Sequence, residues 1–315
     1  MSLRFLSRFA KGLVRGSFAC LPGRSGVFAR RWLVWELLRG QAVALDFERE
    51  GFRWSVFTDD IVGRDLFLRG EFQTAGLDGI LSWCAKNVAG WAERSTLINV
   101  GANIGATCLP LAKHGRRKCI AVEPVPKTFG LLAHNVAQNG AAENIRCVQA
   151  AVASTAGTIE MVAPKDSGHS EVKTATGKQG FSAHYRGDEC ATVAVPAIPL
   201  NQLIANDNLR PEQIALVWSD TQGFEGEVIA SGGALWKAGV PLWVEVWPEG
   251  LEAHGGVDRF LQLAGEHFRQ FILDDDITDP LPKLRPIGEL ADIIRTLQTH
   301  GGSGGRDDHD VLLVP

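Results

Sequence analysis

Several features are missing from this chain of 315 residues, and each absence removes a class of protein. No stretch of about eighteen apolar residues runs free of charge, so no segment has the length and polarity of a membrane-spanning helix. The six cysteines, Cys20, Cys84, Cys108, Cys119, Cys147 and Cys190, never come closer than eleven positions, and C-x-x-C does not occur. Zinc knuckles and disulfide frameworks need tighter, patterned spacing. Free thiols in a reducing, cytoplasmic compartment are therefore expected. H-E-x-x-H is absent and no His sits at ligand spacing from a Cys, so no metal site is expected. Residues 300–306 are rich in glycine but lack the Gly-Lys-Ser/Thr of a phosphate-binding loop, and they read as a flexible connection into a last strand.

What is present is near the globular average: 45% hydrophobic and 22% charged residues. That composition excludes collagen-like and disordered chains. The charge is unevenly placed. Arg4, Arg8, Lys11, Arg15, Arg24, Arg30, Arg31 and Arg39 against Glu36 alone give residues 1–40 a net charge of +7, so the other 275 carry −11 of the total −4. An acidic body argues against a nucleic-acid partner. In the basic leader, Leu3, Leu6, Phe9, Ala10, Leu13, Val14 and Phe18 recur at helical spacing, with Arg4, Arg8, Lys11 and Arg15 on another face. Such a helix either packs on its own domain or lies on an anionic inner membrane surface as a peripheral contact. Charges interrupt every candidate apolar core of a secretory signal, while the Arg-rich, acid-free first 35 residues also fit a transit peptide.

The chain divides on this reading into an N-terminal extension, 1–70, with an amphipathic helix and short strands, and a larger domain, 71–315. Within it, apolar runs predict strands at 52–57, 97–100, 119–122, 145–152, 214–218, 242–246 and 311–314. Helices are predicted at 76–91, 104–113, 127–138, 224–235 and 258–268. Residues 163–190, rich in Gly, Ser, Thr and Lys, read as a long loop or lid. The alternation predicts an α/β, doubly wound and mostly parallel sheet with an N-terminal helical extension.

The informative segment is Asn99-Val100-Gly101-Ala102-Asn103-Ile104-Gly105, which leaves the first strand of the alternating region and opens a helix. Open α/β sheets bind ligands in that crevice. Gly101 permits a tight turn with close approach of a ligand to backbone, and Gly105 lets the helix pack on the strand. The dinucleotide fingerprint G-x-G-x-x-G needs glycine at 103 and 106, where Asn103 and Ala106 stand. Glu123 ends the next strand, 22 residues after Gly101. A carboxylate there accepts hydrogen bonds from both hydroxyls of an adenosine ribose, or else favours the following helix N-terminus. The order of the two segments points to S-adenosylmethionine rather than NAD. Asn99, Gly101, Asn103, Gly105, Glu123, Pro124 and Ala150 are the cofactor-binding candidates.

These blocks, Ile98 to Gly105, Val122-Glu123-Pro124-Val125-Pro126 with Phe129 and Asn135, and Ser219-Asp220-Thr221-Gln222-Gly223-Phe224-Glu225, resemble the FkbM-type methyltransferases over residues 71–248. The resemblance implies a Rossmann-like, class I methyltransferase fold, S-adenosylmethionine as methyl donor, and a hydroxyl acceptor on a sugar, glycan or polyketide-like small molecule. Three positions depart from the family pattern: Asn99 stands for a common Asp, Trp218 for a frequent Lys, and Gln222 for the more frequent Glu.

Methyl transfer to a poorly nucleophilic hydroxyl needs alignment and gains from a base. Asp220, after the fourth strand, is the candidate base or orienting carboxylate, unless it only shapes an Asx-type turn. Glu245, near the end of the fifth strand, is the reserve. Glu225 either contacts the acceptor or caps a helix N-terminus. His169, in Ser167-Gly168-His169-Ser170, titrates in the useful range but sits in a loop. Among Trp218, Trp236, Trp243 and Trp247, core packing accounts for most, and Trp247 is assigned to the acceptor pocket. A non-catalytic scaffold that keeps the fold, and a nucleotide-dependent oxidoreductase, are the competing readings.

Overall fold

The computed structural model describes residues 23–39, 41–72, 74, 76–164, 166–173, 190–300 and 308–315. The leader face at residues 3–18, Cys20, most of the loop at 163–190 and the glycine-rich stretch 301–306 lie outside the described residues. The chain divides into two compact units, Met1–Phe72 and Gln73–Pro315.

In the first unit, a helix Gly23–Leu38 precedes the antiparallel hairpin β1 (Ala44–Arg49) and β2 (Phe52–Phe57), and a helix Ile61–Leu68 follows. Glu50 (φ 51°) and Gly51 (φ 76°) make the two-residue turn, both left-handed as a tight hairpin with the usual strand twist requires. Asp60 caps the second helix, its carboxylate accepting from Val62 N–H at 2.8 Å and Gly63 N–H at 3.2 Å. Trp35 is buried, with its ring centroid 5.9 Å from that of Phe67.

The second unit is built on an eight-stranded sheet. Its strands are β3 (Thr96–Val100), β4 (Lys118–Val122), β5 (Ile145–Val148), β10 (Ile214–Ser219), β11 (Leu242–Val246), β12 (Gln270–Leu273), β13 (Arg285–Pro286) and β14 (His309–Val314). They lie in the order β13-β12-β14-β11-β10-β3-β4-β5. The five from β11 to β5 are parallel, β14 runs antiparallel to both β11 and β12, and β13 is antiparallel to β12. β3, β10 and β11 are buried along their whole length, as strands covered on both faces must be. The chain winds from β3 to β5 in one direction and returns to β10 on the other side of β3. The strand order therefore reverses between β3 and β10, and the crevice for a ligand opens there.

A second, four-stranded sheet is inserted between β5 and β10. It comprises β6 (Ala151–Val152), β7 (Gly157–Pro164), β8 (Glu171–Val172) and β9 (Cys190–Ile198), ordered β6-β9-β7-β8. Four expectations change in the structure. The strand expected at 145–152 is two strands in different sheets. The described part of the segment expected as a loop at 163–190 holds the end of β7, a 3-10 turn Ser167–His169, β8 and the first residue of β9. The helix expected at 224–235 breaks into Glu225–Ser231 and Gly233–Lys237. At Gly232 a Cβ would lie 2.5 Å from the Trp236 ring, whose Nε1–H donates to Ile229 O at 2.8 Å. Burying that indole takes precedence over helix continuity. The helix expected from 104 starts only at Cys108, because residues 101–107 form the loop described next.

Candidate functional site

β3 ends in Gly101, and the backbone there leaves no room for any other residue. Its φ is 74°, and a Cβ would sit 1.8 Å from the Asp220 carbonyl oxygen. Gly101 N–H and Ala102 N–H donate to Val122 O at 3.0 and 2.9 Å, while Asp220 N–H donates to Val100 O at 3.1 Å. The exits of β3, β4 and β10 are thus tied together.

Asn103 adopts φ 48°, a conformation Asn tolerates better than most. Its Oδ1 accepts from Ile104 N–H at 2.7 Å and from Ser167 Oγ at 2.9 Å, and its backbone N–H donates to Glu123 Oε2 at 3.0 Å. Glu123 is buried and turned towards the glycine loop, with Oε1 accepting from Val125 N–H at 2.9 Å. Burial pushes its pKa from the usual value up to about 7, against the two backbone donors that hold it down. Gly105 (φ 96°) faces Leu132, where a Cβ would approach to 3.3 Å, and Asn135 Nδ2 donates to Ile104 O at 2.8 Å. Pro124 is half-buried beside Glu123, and Ala150 packs in the apolar core with Val100 and Val122. Asn99 Oδ1 is buried without a hydrogen-bond partner.

On the other side, Gln222 takes φ 56° and its Nε2 bridges two carboxylates, donating to Asp220 Oδ1 at 2.7 Å and Glu245 Oε2 at 3.1 Å. The two candidate bases are therefore brought together, by a residue that sequence reasoning noticed only as a departure from the family pattern. Glu245 is pushed well above the ordinary carboxylate range by burial, then by the charges of Asp220, Asp310, Glu225 and Asp308. Asp310 lies directly opposite it on β14. Glu225 opens its helix and spends Oε1 on Thr221, accepting from N–H at 2.9 Å and Oγ1 at 2.8 Å, which closes the turn that carries Asp220. Its Oε2 is buried and unpartnered, and burial raises its pKa to about 7. Gly223 (φ 99°) abuts the helix Pro248–Ala253, where a Cβ would come within 2.3 Å of Gly250. A Cβ on Gly250 would in turn lie 2.1 Å from the Trp247 ring, so Trp247 is buried under this junction. Trp218 is buried with its ring 5.3 Å from that of Trp243.

Two polar residues had no signature in the sequence. His254, after the helix Pro248–Ala253, sets its ring edge-on to Phe224 with centroids 5.7 Å apart, and its Nε2 is buried without a partner. Burial lowers its pKa, with the Glu171 carboxylate opposing the effect. Ser170 Oγ is also buried and unpartnered. His169, 3.5 Å from Asp166 at its Nδ1, belongs to the same inserted segment, which Ser167 anchors on Asn103. The contacts run from Asn103 to Ser167, from His254 to Phe224, from Gly223 to Gly250 and from Asp220 to Gly101, and the Glu171 carboxylate acts electrostatically on His254. They ring the C-terminal ends of β3, β10 and β11. Lys173 and Arg259, on segments flanking the ring, are paired with Glu160 at 2.9 Å and with Glu227. Outside the ring, Asp274, Asp275 and His309 bring one donor atom each within 4.8 Å of one another, with His309 Nδ1 already 3.0 Å from Asp274 Oδ1.

The residues present fit an adenosine-bearing methyl donor. A glycine-bent exit stands beside a buried carboxylate with acceptor capacity left, and Asn99 Oδ1 lacks the donor that a buried oxygen calls for. Six strands of one direction, β12, β11, β10, β3, β4 and β5, with the antiparallel β14 set between β11 and β12 and a crevice between β3 and β10, define the chain as a Rossmann-like α/β protein of the class I methyltransferase type. Residues 99–268, more than half the chain, match the Methyltransferase FkbM domain, and the chain belongs to that family.

A stretch of 76 residues, 24% of the chain, is 30% identical to "Methyltransferase sdnD" of Sordaria araneosa, and the alignment spans only 29% of that relative. Among solved structures, P. horikoshii TYW2 in complex with MeSAdo is similar at 12% identity and TM-score 0.42, with 91% of this chain and 81% of that one covered. M. jannaschii TYW2 in complex with AdoMet is similar at 11% identity and TM-score 0.38, with 86% and 85% covered. Likenesses so distant carry no argument about activity.

Proposed function

We propose that this protein transfers a methyl group from S-adenosylmethionine to a hydroxyl of a sugar, glycan or polyketide-like small molecule in the cytoplasm. The observation that carries this reading is the disposition of Glu123: buried, aimed at the Gly101–Asn103 loop, and only partly satisfied by the two N–H groups it accepts. An ionised carboxylate there takes hydrogen bonds from ribose hydroxyls, with Gly101, Gly105 and Asn99 around it and Pro124 and Ala150 lining the wall. When bound, the cofactor supplies an electrophilic methyl group. The remaining work falls to the ring of side chains opposite.

Asp220 contributes its charge to the surroundings of Glu123, Glu225 and Glu245, which puts it at the centre of the carboxylate set. Its Oδ1 is oriented by Gln222, so Asp220 is the group to receive or orient the acceptor hydroxyl proton. Glu245, whose proton burial and the neighbouring carboxylates hold more tightly than usual, is better suited to donate a hydrogen bond than to take a proton. Glu225 works as a fastener of the Asp220 turn, and Trp247 as the floor beneath it. His254, with its buried Nε2 unpartnered, and His169 on the inserted segment are further polar candidates for contact with the acceptor. Cys84, Cys108 and Cys119 are buried free thiols and Cys147 a half-buried one, which supports a reducing compartment.

The test is a screen of hydroxylated acceptors, incubated with protein and S-adenosylmethionine and read by mass spectrometry. A gain of one methylene unit is expected for a subset of them. Cofactor binding without any such gain would favour the scaffold reading, which rests on Asn99 and Trp218.

A further inference from the structure

None of the residues in the ring comes from the unit Met1–Phe72, and that unit carries a surface with a chemistry of its own. The helix Gly23–Leu38 buries Trp35 yet leaves Val27, Phe28, Trp32 and Leu37 between 39% and 49% exposed, and Val43 just beyond it is 79% exposed. Phe28 and Trp32, four residues apart, stack on one side of the helix, with Glu36 and Arg39 continuing the same side. Scattered apolar side chains on a surface need no explanation, and Val27 and Leu37 point away from this side, but Phe28 and Trp32 make an aromatic patch on one side of a single helix.

The charge on this helix is mostly of one sign. Arg24, Arg30, Arg31 and Arg39 lie on the helix or directly after it with Glu36 as the only acid, and residues 1–40 together carry +7. The rest of the chain carries −11. We propose that the helix Gly23–Leu38, with Val43, docks this protein on an anionic lipid bilayer, with Phe28 and Trp32 at headgroup depth and the arginines against lipid phosphates. An aromatic at headgroup level together with a basic cluster is the pair of signals that stable peripheral binding requires. The sign of the charge favours lipid over a second copy of the chain, since pairing this face with itself would bring two +7 segments together. The acidic remainder is repelled by the same surface, so the attraction is confined to this end of the sequence.

The experiment is co-sedimentation of the full chain with vesicles of phosphatidylcholine alone or mixed roughly two to one with phosphatidylglycerol. Binding is expected only to the mixed vesicles, and it should weaken when NaCl is raised from about 0.1 M to about 0.5 M. Phe28→Ser with Trp32→Ser, and separately Arg30→Gln with Arg31→Gln, should each lower partitioning about tenfold. Leu281→Ser, at an apolar side chain 91% exposed in the other unit, should leave it unchanged. An unaltered far-ultraviolet circular dichroism spectrum shows that a variant is folded, and the arginine pair gives the answer should the aromatic pair unfold. Equal partitioning to both vesicle types, partitioning unaffected by both double variants, or no binding at all would overturn the proposal. So would a lipid-independent dimer that Phe28→Ser with Trp32→Ser converts to monomer.

Discussion

Glu123, on the β4 side of the crevice, accepts two backbone N–H groups and has one neighbouring carboxylate, Asp220, acting on it. Glu245, on the β11 side, has Asp220, Glu225, Asp308 and Asp310 acting on it and a single side-chain amide donor within reach. Unpartnered buried atoms gather on that second side, at Gln222 Oε1, Glu225 Oε2 and His254 Nε2. The first side is pre-organised, its carboxylate Glu123 held by the backbone N–H groups of Asn103 and Val125. The second is left unsatisfied, at a cost of about 1–3 kcal/mol for each unpaired buried group, and such groups are stabilised by whatever acceptor supplies the missing partners. Under the proposed function, the contrast places cofactor recognition on a backbone-held carboxylate and acceptor recognition on a few incompletely paired side chains.

Gly101 touches both sides, and its replacement should have the largest effect. In Gly101→Ala the methyl group meets the Asp220 carbonyl at 1.8 Å, and both halves should fail together, with a stability loss above about 3 kcal/mol in denaturant titration. Gly140→Ala, at φ 64° with open space around it, isolates the backbone strain and should cost about 1 kcal/mol.

The two sides should separate in the next variant. Asp220→Asn is expected to cut turnover about 10²–10⁴-fold with cofactor affinity nearly intact. If both fall together in parallel titration and turnover assays, the division drawn here is wrong. The converse variant, Glu123→Ala, should weaken S-adenosylmethionine binding by about 1–3 kcal/mol in calorimetry.

The smallest effect is one of pH. Glu123 and Glu225 are each raised to about 7 in the folded chain. A raised carboxyl means that the fold holds more protons than the unfolded chain from near 4.5 up to about 7, so stability falls as pH rises through that window. Thermal melts of the ligand-free protein should show Glu225→Gln flattening this dependence relative to wild type.

Much of the first side was legible because its chemistry is local. Gly101 and Gly105 sit at positive φ, a conformation that glycine adopts at least cost, and Glu123 follows at the end of an unbroken apolar strand. The second side was legible only in part. Asp220 and Glu245 stand at strand ends, but their joining by Gln222 depends on a left-handed turn that no local pattern announces. His254 and Ser170 enter from segments far apart in the chain. β7 and β9 of the inserted sheet give no strand signal in the sequence, because their residues are mostly exposed or half-buried. Met161 and Val195 sit in a small satellite core rather than in a long apolar run. Leader residues 3–18 predicted a helix outside the described part, whereas the apolar helix Gly23–Leu38 was not expected.

The most direct measurement is a calorimetric titration of the full chain with S-adenosylmethionine, S-adenosylhomocysteine and NAD at pH 6 and pH 8. Both sulfur-bearing nucleosides should bind, more tightly at the higher pH as Glu123 ionises, while NAD gives no heat. Tight binding of NAD with silence from the other two would contradict the account.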